Sequence, residues 1–263
     1  MIFERLAAAL RAAQPVALVT RLDGAAIGAK LLVFPGETLG TLGHPRLDEA
    51  ATAEALARLA VGENAIRSFG EEGEPIGNDV RLFICSYAPK PDMYIFGAID
   101  FSRAMAQAGK TLGYRVTVVD ARPPFATRAR IPDADEVIVA WPDEFLATAR
   151  VDERSALIVL THDVKFDVPL LQLAVRTPAG YIGAMGSRKT HASRLAALRE
   201  AGVDDAGLAR IFAPVGLDIG ARTPEETAVS IAAEIIAVRE GRAGGHLSRS
   251  GLPIHNPRTT APV

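Results

Sequence analysis

Beyond residue 92 the chain alternates short apolar runs with longer amphipathic stretches, and this alternation restricts its fold more than any other feature. The runs Met93 to Phe96, Arg115 to Val119, Glu136 to Ala140, Ala156 to Leu160 and Gly180 to Gly183, with a short sixth near Ile211 to Ala213, read as parallel strands. Several are almost unbroken in apolar character, as strands are when helices cover both faces of their sheet. The expected class is therefore α/β, built on a doubly wound parallel sheet. Its last helix is announced by Thr223 as N-cap, Pro224 in the first turn and Glu226 closing a capping box, and Gly241 stops it.

Upstream the pattern differs. An Ala/Leu-rich helix over residues 2 to 12 precedes a strand from Pro15 to Thr20. Asp23-Gly24 signals a hairpin, Ala26 to Phe34 its return strand, and Pro35-Gly36 a further turn. A helix from Leu47 to Ala60 and strands at Asn64 to Phe69 and Val80 to Tyr87 complete a small α+β unit. The prolines of Ala88-Pro89-Lys90-Pro91-Asp92 favour an extended linker. The expected domains are residues 1 to 88, 89 to 243, and a mobile tail from 244 to 263 rich in Gly, Ser, Pro and Arg.

Composition narrows the functional classes. With 263 residues, 49% of them hydrophobic and 23% charged, two modest cores are feasible. A net charge of -2 gives no reason to expect nucleic acid or an anionic membrane as partner. No apolar run is long enough for a bilayer span, and Met1 to Arg5 lacks the basic-then-apolar pattern of a secretory leader, so the expected location is the cytoplasm. Cys85 is the single cysteine, and the five histidines do not fall at metal-ligand spacing with it, so no metal site is expected.

Two turns carry candidate binding chemistry. In Met93-Tyr94-Ile95-Phe96-Gly97-Ala98-Ile99-Asp100-Phe101-Ser102 a strand runs into a glycine turn and a helix, and Asp120 ends the next strand 23 residues after Gly97, where a ribose-binding carboxylate belongs. This makes the domain Rossmann-like, with Gly97, Ala98, Asp120 and Arg122 as candidates for nucleotide binding. Of the G-x-G-x-x-G pattern, however, only the first glycine is present. Ile99 replaces the second, which lets backbone approach a pyrophosphate, and this counts against NAD(P). An altered nucleotide site and a working one both remain open.

The second turn is Tyr181-Ile182-Gly183-Ala184-Met185-Gly186-Ser187-Arg188-Lys189. Backbone N–H groups there could cradle an anion, with Ser187 and Arg188 adding donors, so Gly183, Gly186, Ser187 and Arg188 are candidate contacts. A tight turn serving only helix–sheet packing is the plainer reading. His162, directly after a strand, is a candidate ligand-orienting or proton-transferring group, and Asp218 lies in the unusual loop Pro214-Val215-Gly216-Leu217-Asp218-Ile219-Gly220.

These loops resemble a known family. The stretch from Tyr181 to Lys189, the stretch Ala213-Pro-Val-Gly-Leu-Asp-Ile-Gly-Ala, the helix from Thr223 and the segment Tyr114-Arg-Val-Thr-Val-Val-Asp-Ala-Arg-Pro-Pro-Phe-Ala look like the C-terminal domain of XdhC/CoxI proteins. The resemblance implies an accessory protein that acts as a chaperone more than as a catalyst. Such a protein binds molybdenum cofactor, shields it during sulfuration and helps insert it into a xanthine dehydrogenase or CO dehydrogenase type hydroxylase. It also implies a client hydroxylase, a cysteine desulfurase and a second copy of the chain as partners. Two places depart from the family pattern. Arg46 stands about where the family carries a cysteine thought to touch the cofactor, which leaves Cys85 either as a substitute thiol or, the plainer reading, as a small buried apolar residue of its strand, and Gly97-Ala98-Ile99-Asp100 replaces Gly-Ala-Gly-His. An NAD(P)-dependent oxidoreductase using Asp120 and His162, and a non-catalytic interaction homologue with empty sites, are the competing expectations.

Overall fold

A computed structural model describes residues 2–161 and 163–254. His162 therefore lies outside the described residues. Two compact units divide after Pro89.

The first unit is an antiparallel sheet of five strands in the order β3-β2-β1-β5-β4. Its strands are β1 (Val16–Arg21), β2 (Lys30–Phe34), β3 (Glu37–Thr41), β4 (Ala65–Phe69) and β5 (Val80–Tyr87). Alternation along the strands supplies both faces with apolar residues. Ala17, Val19, Leu31, Val33, Leu82 and Ile84 pack with Leu47, Ala51 and Ala55 of helix α2 (Pro45–Val61), whereas Val16, Leu18, Leu32 and Phe34 pack with Leu6 and Ala9 of helix α1 (Ile2–Arg11). The return strand begins at Lys30, later than the expected Ala26. Its turn is longer than Asp23-Gly24 alone because residues 22 to 29 form the connection.

β3 had no counterpart among the expected strands. All five of its residues are exposed, so an edge strand without a buried face leaves no apolar pattern to find.

The second unit is a parallel sheet of six strands in the order β11-β10-β9-β6-β7-β8. In chain order these are β6 (Asp92–Phe96), β7 (Arg115–Asp120), β8 (Glu136–Val139), β9 (Ala156–Val159), β10 (Tyr181–Ala184) and β11 (Ile211–Phe212). Counted from β6 as the first strand, this is the doubly wound order 3-2-1-4-5-6. One face packs on α3 (Asp100–Thr111) and α8 (Pro224–Arg239), through Met93, Ile95, Met105, Ile158, Ile231 and Ile235. The other packs on α4 (Pro142–Thr148), α5 (Val164–Ala174), α6 (Arg188–Glu200) and α7 (Asp205–Ala209), through Phe96, Leu157, Val159, Leu170, Leu198 and Leu208. α8 begins as expected, since the Thr223 hydroxyl accepts from the Glu226 N–H while the Glu226 carboxylate accepts from the Thr223 N–H. Of the expected tail, residues 244 to 254 are exposed, with one 3-10 turn at Leu247–Arg249, and the remainder lies outside the described residues.

Candidate ligand site at the sheet rim

Chain order reverses between β6 and β9, whose C-terminal ends therefore diverge into connections on opposite faces and leave a crevice between them. A cavity of about 240 Å³ occupies that place, lined by Gly97, Ile99, Arg122, Trp141, Thr161 and Phe166 among others. Gly97 is required here twice over. Its φ of +103° suits glycine, and a Cβ would fall 2.9 Å from Thr161 Cγ2.

The turn after β6 is closed by its own side chains. The Ala98 N–H donates to Asp120 Oδ2 at 2.7 Å, and the Ile99 N–H donates to Ser102 Oγ at 3.2 Å. Ser102 in turn donates to the Gly97 carbonyl. Asp120 Oδ1 accepts from the Arg122 N–H and Nε, both at 2.9 Å, and Oδ2 accepts from Arg122 Nη2 at 2.7 Å. Counting Ala98, four donors fill this buried carboxylate. Burial pushes its pKa up, but the Arg122 side chain, the two backbone N–H groups and the Arg122 charge outweigh burial and hold it below the usual carboxylate value. Arg122 is pushed up in return, first by its hydrogen bond to Asp120. Its guanidinium, with the side chain 53% exposed, sits 4.4 Å over the Phe125 ring, and Arg130, paired with Asp100 at 3.7 Å, lies 5.1 Å from the centroid of the same ring.

The turn after β10 is open by comparison. Gly186 has φ +145°, and Ser187 caps α6 by accepting from the Thr190 N–H at 3.1 Å. The N–H groups of Ser187, Arg188 and Lys189 find no acceptor among the described residues, and the Arg188 and Lys189 side chains are exposed. Gly183 is not part of this opening. It lies buried in β10, where a Cβ would strike Val215 and the Tyr181 ring. Asp218 is exposed in a loop fastened along α8, where Gly216 N–H donates to Glu234 and Ser230 Oγ to the Leu217 carbonyl, and it does not line the crevice.

Beneath the turn after β10 runs a buried network that sequence reasoning missed. Asp167 and Arg194 are fully buried and paired at 2.6 Å. Asp167 also accepts from Thr161 Oγ1 at 2.5 Å, and Arg194 Nη2 donates to the Met185 carbonyl at 2.9 Å. The pair thus ties the loop after β9 to the loop after β10. Arg194 Nε and Nη1 have no partner among the described residues. Nothing in the helical pattern of α6 marks Arg194 as buried. Trp141 was missed too, although a signal existed: a large aromatic directly at a strand end, before a proline that starts a helix, belongs at the rim. Its ring centroid lies 5.3 Å from that of Phe166, tilted 31°.

In the first unit, Arg46 is exposed and pairs with Glu72 at 3.2 Å. Cys85 is half-buried on β5 opposite Leu18, and its hydrogen bond to Tyr87, followed by burial, raises the pKa of that phenol. Among the described residues no cluster of His, Cys, Asp and Glu could hold a metal ion, and no helix is long and apolar enough to cross a membrane.

A parallel sheet in this order, with its crevice at the reversal point and a small antiparallel unit ahead of it, defines a two-unit Rossmann-type protein. The chain belongs to the XdhC and CoxI family: its residues 93–235 match the XdhC Rossmann domain and residues 9–70 match the XdhC and CoxI family model. It is similar to the uncharacterized protein YqeB of Escherichia coli (30% identity, 86% of this chain, 43% of that one). It also resembles a probable xanthine dehydrogenase subunit of Bacillus subtilis (33% identity, 61% of this chain, 46% of that one) and the molybdenum cofactor insertion chaperone PaoD of Escherichia coli (40% identity, 35% of this chain, 29% of that one). The chain spans less than half the length of these curated relatives. A crystal structure of a xanthine dehydrogenase from Bacillus halodurans superposes with a TM-score of 0.66 at 26% identity, over 90% of this chain and 66% of that one.

Proposed function

We propose that this chain is a molybdenum-cofactor accessory protein, which binds the cofactor and assists its sulfuration and insertion into a hydroxylase of the xanthine dehydrogenase or CO dehydrogenase type. Family membership makes a maturation role the reading to prefer, and the similarity to a molybdenum cofactor insertion chaperone supplies the cofactor. One structural observation carries it: the sheet rim offers an aromatic-walled crevice bordered by Arg122 and, across β9, an unfilled, cationic turn, which suits a planar, anionic ligand. Gly97 would border the ring and Arg122 would meet the anionic group, while Gly186, Ser187 and Arg188, which do not line the crevice, would offer a second seat for an anion at the end of β10. The described residues offer no metal-ligand cluster, so the hold would be on the organic part of the cofactor. The cofactor would supply the redox chemistry of the client enzyme, while this chain's residues bind, orient and shield.

The dinucleotide reading fits poorly. The Ala98 and Ile99 amides that would face a pyrophosphate are engaged, Asp100 places a carboxylate at the helix start, and Asp120 has no lone pair free for a ribose hydroxyl. The empty-homologue reading calls for an occluded cleft at Ile99, yet Ile99 lines an open one.

Equilibrium dialysis against cofactor released from a molybdenum hydroxylase tests the proposal. Retention by the purified protein, and hydroxylases lacking active cofactor in a strain without the gene, are the expected results; no retention together with fully active hydroxylases would overturn it. Co-purification with a client hydroxylase and with a cysteine desulfurase, a cytoplasmic location and a homodimer in sedimentation belong to the same proposal.

A further inference from the structure

We infer that the crevice at Trp141 is a stacking site for one planar heteroaromatic ring carrying an amino group and a phosphate, a single purine or pterin unit in place of a dinucleotide. This deepens the proposed function and rests on it for the biological ligand, but the site stands on its own geometry. Size bears on the class first. The crevice, at about 240 Å³, falls below the ~300–1,000 Å³ of sites that enclose drug-sized ligands, so it encloses about a two-ring system and the rest of a ligand extends beyond it.

The walls decide the next step. Trp141 is 47% exposed although its neighbour Phe166 is half-buried, so one indole face is available while the other side is supported. Ile99 faces the same space from the β6 turn, where it fills what a dinucleotide would use for its pyrophosphate. A ring entering here would therefore be sandwiched by apolar groups.

Polar groups set the edges. Asp163 Oδ1 accepts the Lys165 N–H at 3.0 Å, leaving the other oxygen of an exposed carboxylate at the crevice wall, and Thr161 Oγ1 donates to Asp167 and so presents its lone pairs. Both are acceptors, which favours a ring edge bearing N–H and amino donors. Asp120 and Arg122 form a bidentate pair that is close to neutral toward an anion, so what Arg122 offers there is a hydrogen-bond donor. Arg122 lines the crevice and its Nη1 has no partner among the described residues, so it is the donor available to the ligand's phosphate; Arg130, near the same Phe125 ring, is paired with Asp100 at 3.7 Å and does not line the crevice.

Trp141 is the only tryptophan in the sequence, so the protein carries its own reporter at the site. Tryptophan-selective fluorescence and titration calorimetry would be run on the intact protein with AMP, GMP, neopterin monophosphate, adenosine, NAD and inorganic phosphate. Expected results are emission changes with the ring phosphates, little change with phosphate alone, and no gain in affinity from AMP to NAD. Trp141→Ala should weaken calorimetric binding by roughly tenfold to a hundredfold and Trp141→Phe by much less, given the strength of base–aromatic stacking. Arg122→Gln should erase the preference for AMP over adenosine. Whichever of the purine and pterin probes binds more tightly identifies the ring.

The site is refuted if no ring compound alters Trp141 emission or gives a binding isotherm, or if Trp141→Ala binds as well as the native protein. Molybdenum cofactor retained equally by native protein and Trp141→Ala would remove the ring site and leave the accessory role standing. Ring binding in a protein that retains no molybdenum cofactor would do the reverse.

Discussion

The two glycine turns of the parallel sheet start from the same plan and end in opposite states. After β6, every N–H from Gly97 to Ile99 has an internal acceptor: Val119 for Gly97, Asp120 for Ala98 and Ser102 for Ile99. After β10, the N–H groups of Ser187, Arg188 and Lys189 have none among the described residues, and two cations stand beside them. A strand–glycine–helix motif is therefore not in itself a phosphate site. What matters is whether the neighbouring strand end sends a carboxylate back into the turn, as β7 does with Asp120, or leaves the helix start unfilled.

The largest test of this contrast lies under the open turn. Asp167→Ala would leave the Arg194 guanidinium buried without its charge partner, and breaking such a pair costs about 3–5 kcal/mol. Urea denaturation would show it, together with loosening of the loops at Thr161 and Met185 in hydrogen exchange. The double variant Asp167→Leu with Arg194→Met removes both charges and should recover most of the loss, since apolar replacements of buried pairs are often neutral. Failure of the double variant to recover would mean that the pair holds the two loops through its hydrogen bonds to Thr161 and Met185 and not through charge alone.

A smaller loss is expected from Asp120→Asn, about 1.5–3 kcal/mol for hydrogen bonds to a charged group. It carries a pH signature. The folded pKa of Asp120 lies below the unfolded value, so its carboxylate stabilises the fold above about pH 4, and that contribution is lost as pH falls through the folded pKa. Denaturation midpoints of the native protein and of Asp120→Asn should converge on acidification. If they stay parallel, the closed turn does not depend on the charge of Asp120.

How far the sequence carried depended on burial. β6, β7, β9 and β10 were legible because their apolar runs have no wet face, and Gly97 and Asp120 were legible because the strand ends fall at nucleotide-site spacing. Their mutual bond was not, since no pattern says whether a carboxylate turns toward a ligand or toward the Ala98 amide. Ser187 and Arg188 were found as an exposed turn, whereas Gly183 was read into it although its role is to let Val215 approach β10. Arg194 and Asp167 escaped because charged residues on helices normally face water, and only the packing of α5 against α6 shows otherwise.

Within the open turn itself the effects shrink. Ser187→Ala removes the cap on Thr190 and should cost about 1 kcal/mol of stability, read by thermal denaturation. Arg188→Ala should leave stability within about 0.5 kcal/mol, because the side chain is exposed and makes no ion pair among the described residues. Its expected effect is on ligands alone. Affinity for a phosphate-bearing probe should fall several-fold at low salt, and the difference from the native protein should narrow as salt rises, since an exposed charge is screened within about a Debye length. In the closed turn the corresponding cation, Arg122, is bound to Asp120, so Arg122→Gln should combine a stability loss with its ligand effect. An Arg188→Ala protein that binds phosphate-bearing ligands as the native protein does would place the anion at Arg122 alone, and would show that an unfilled helix start beside two cations is still not a site.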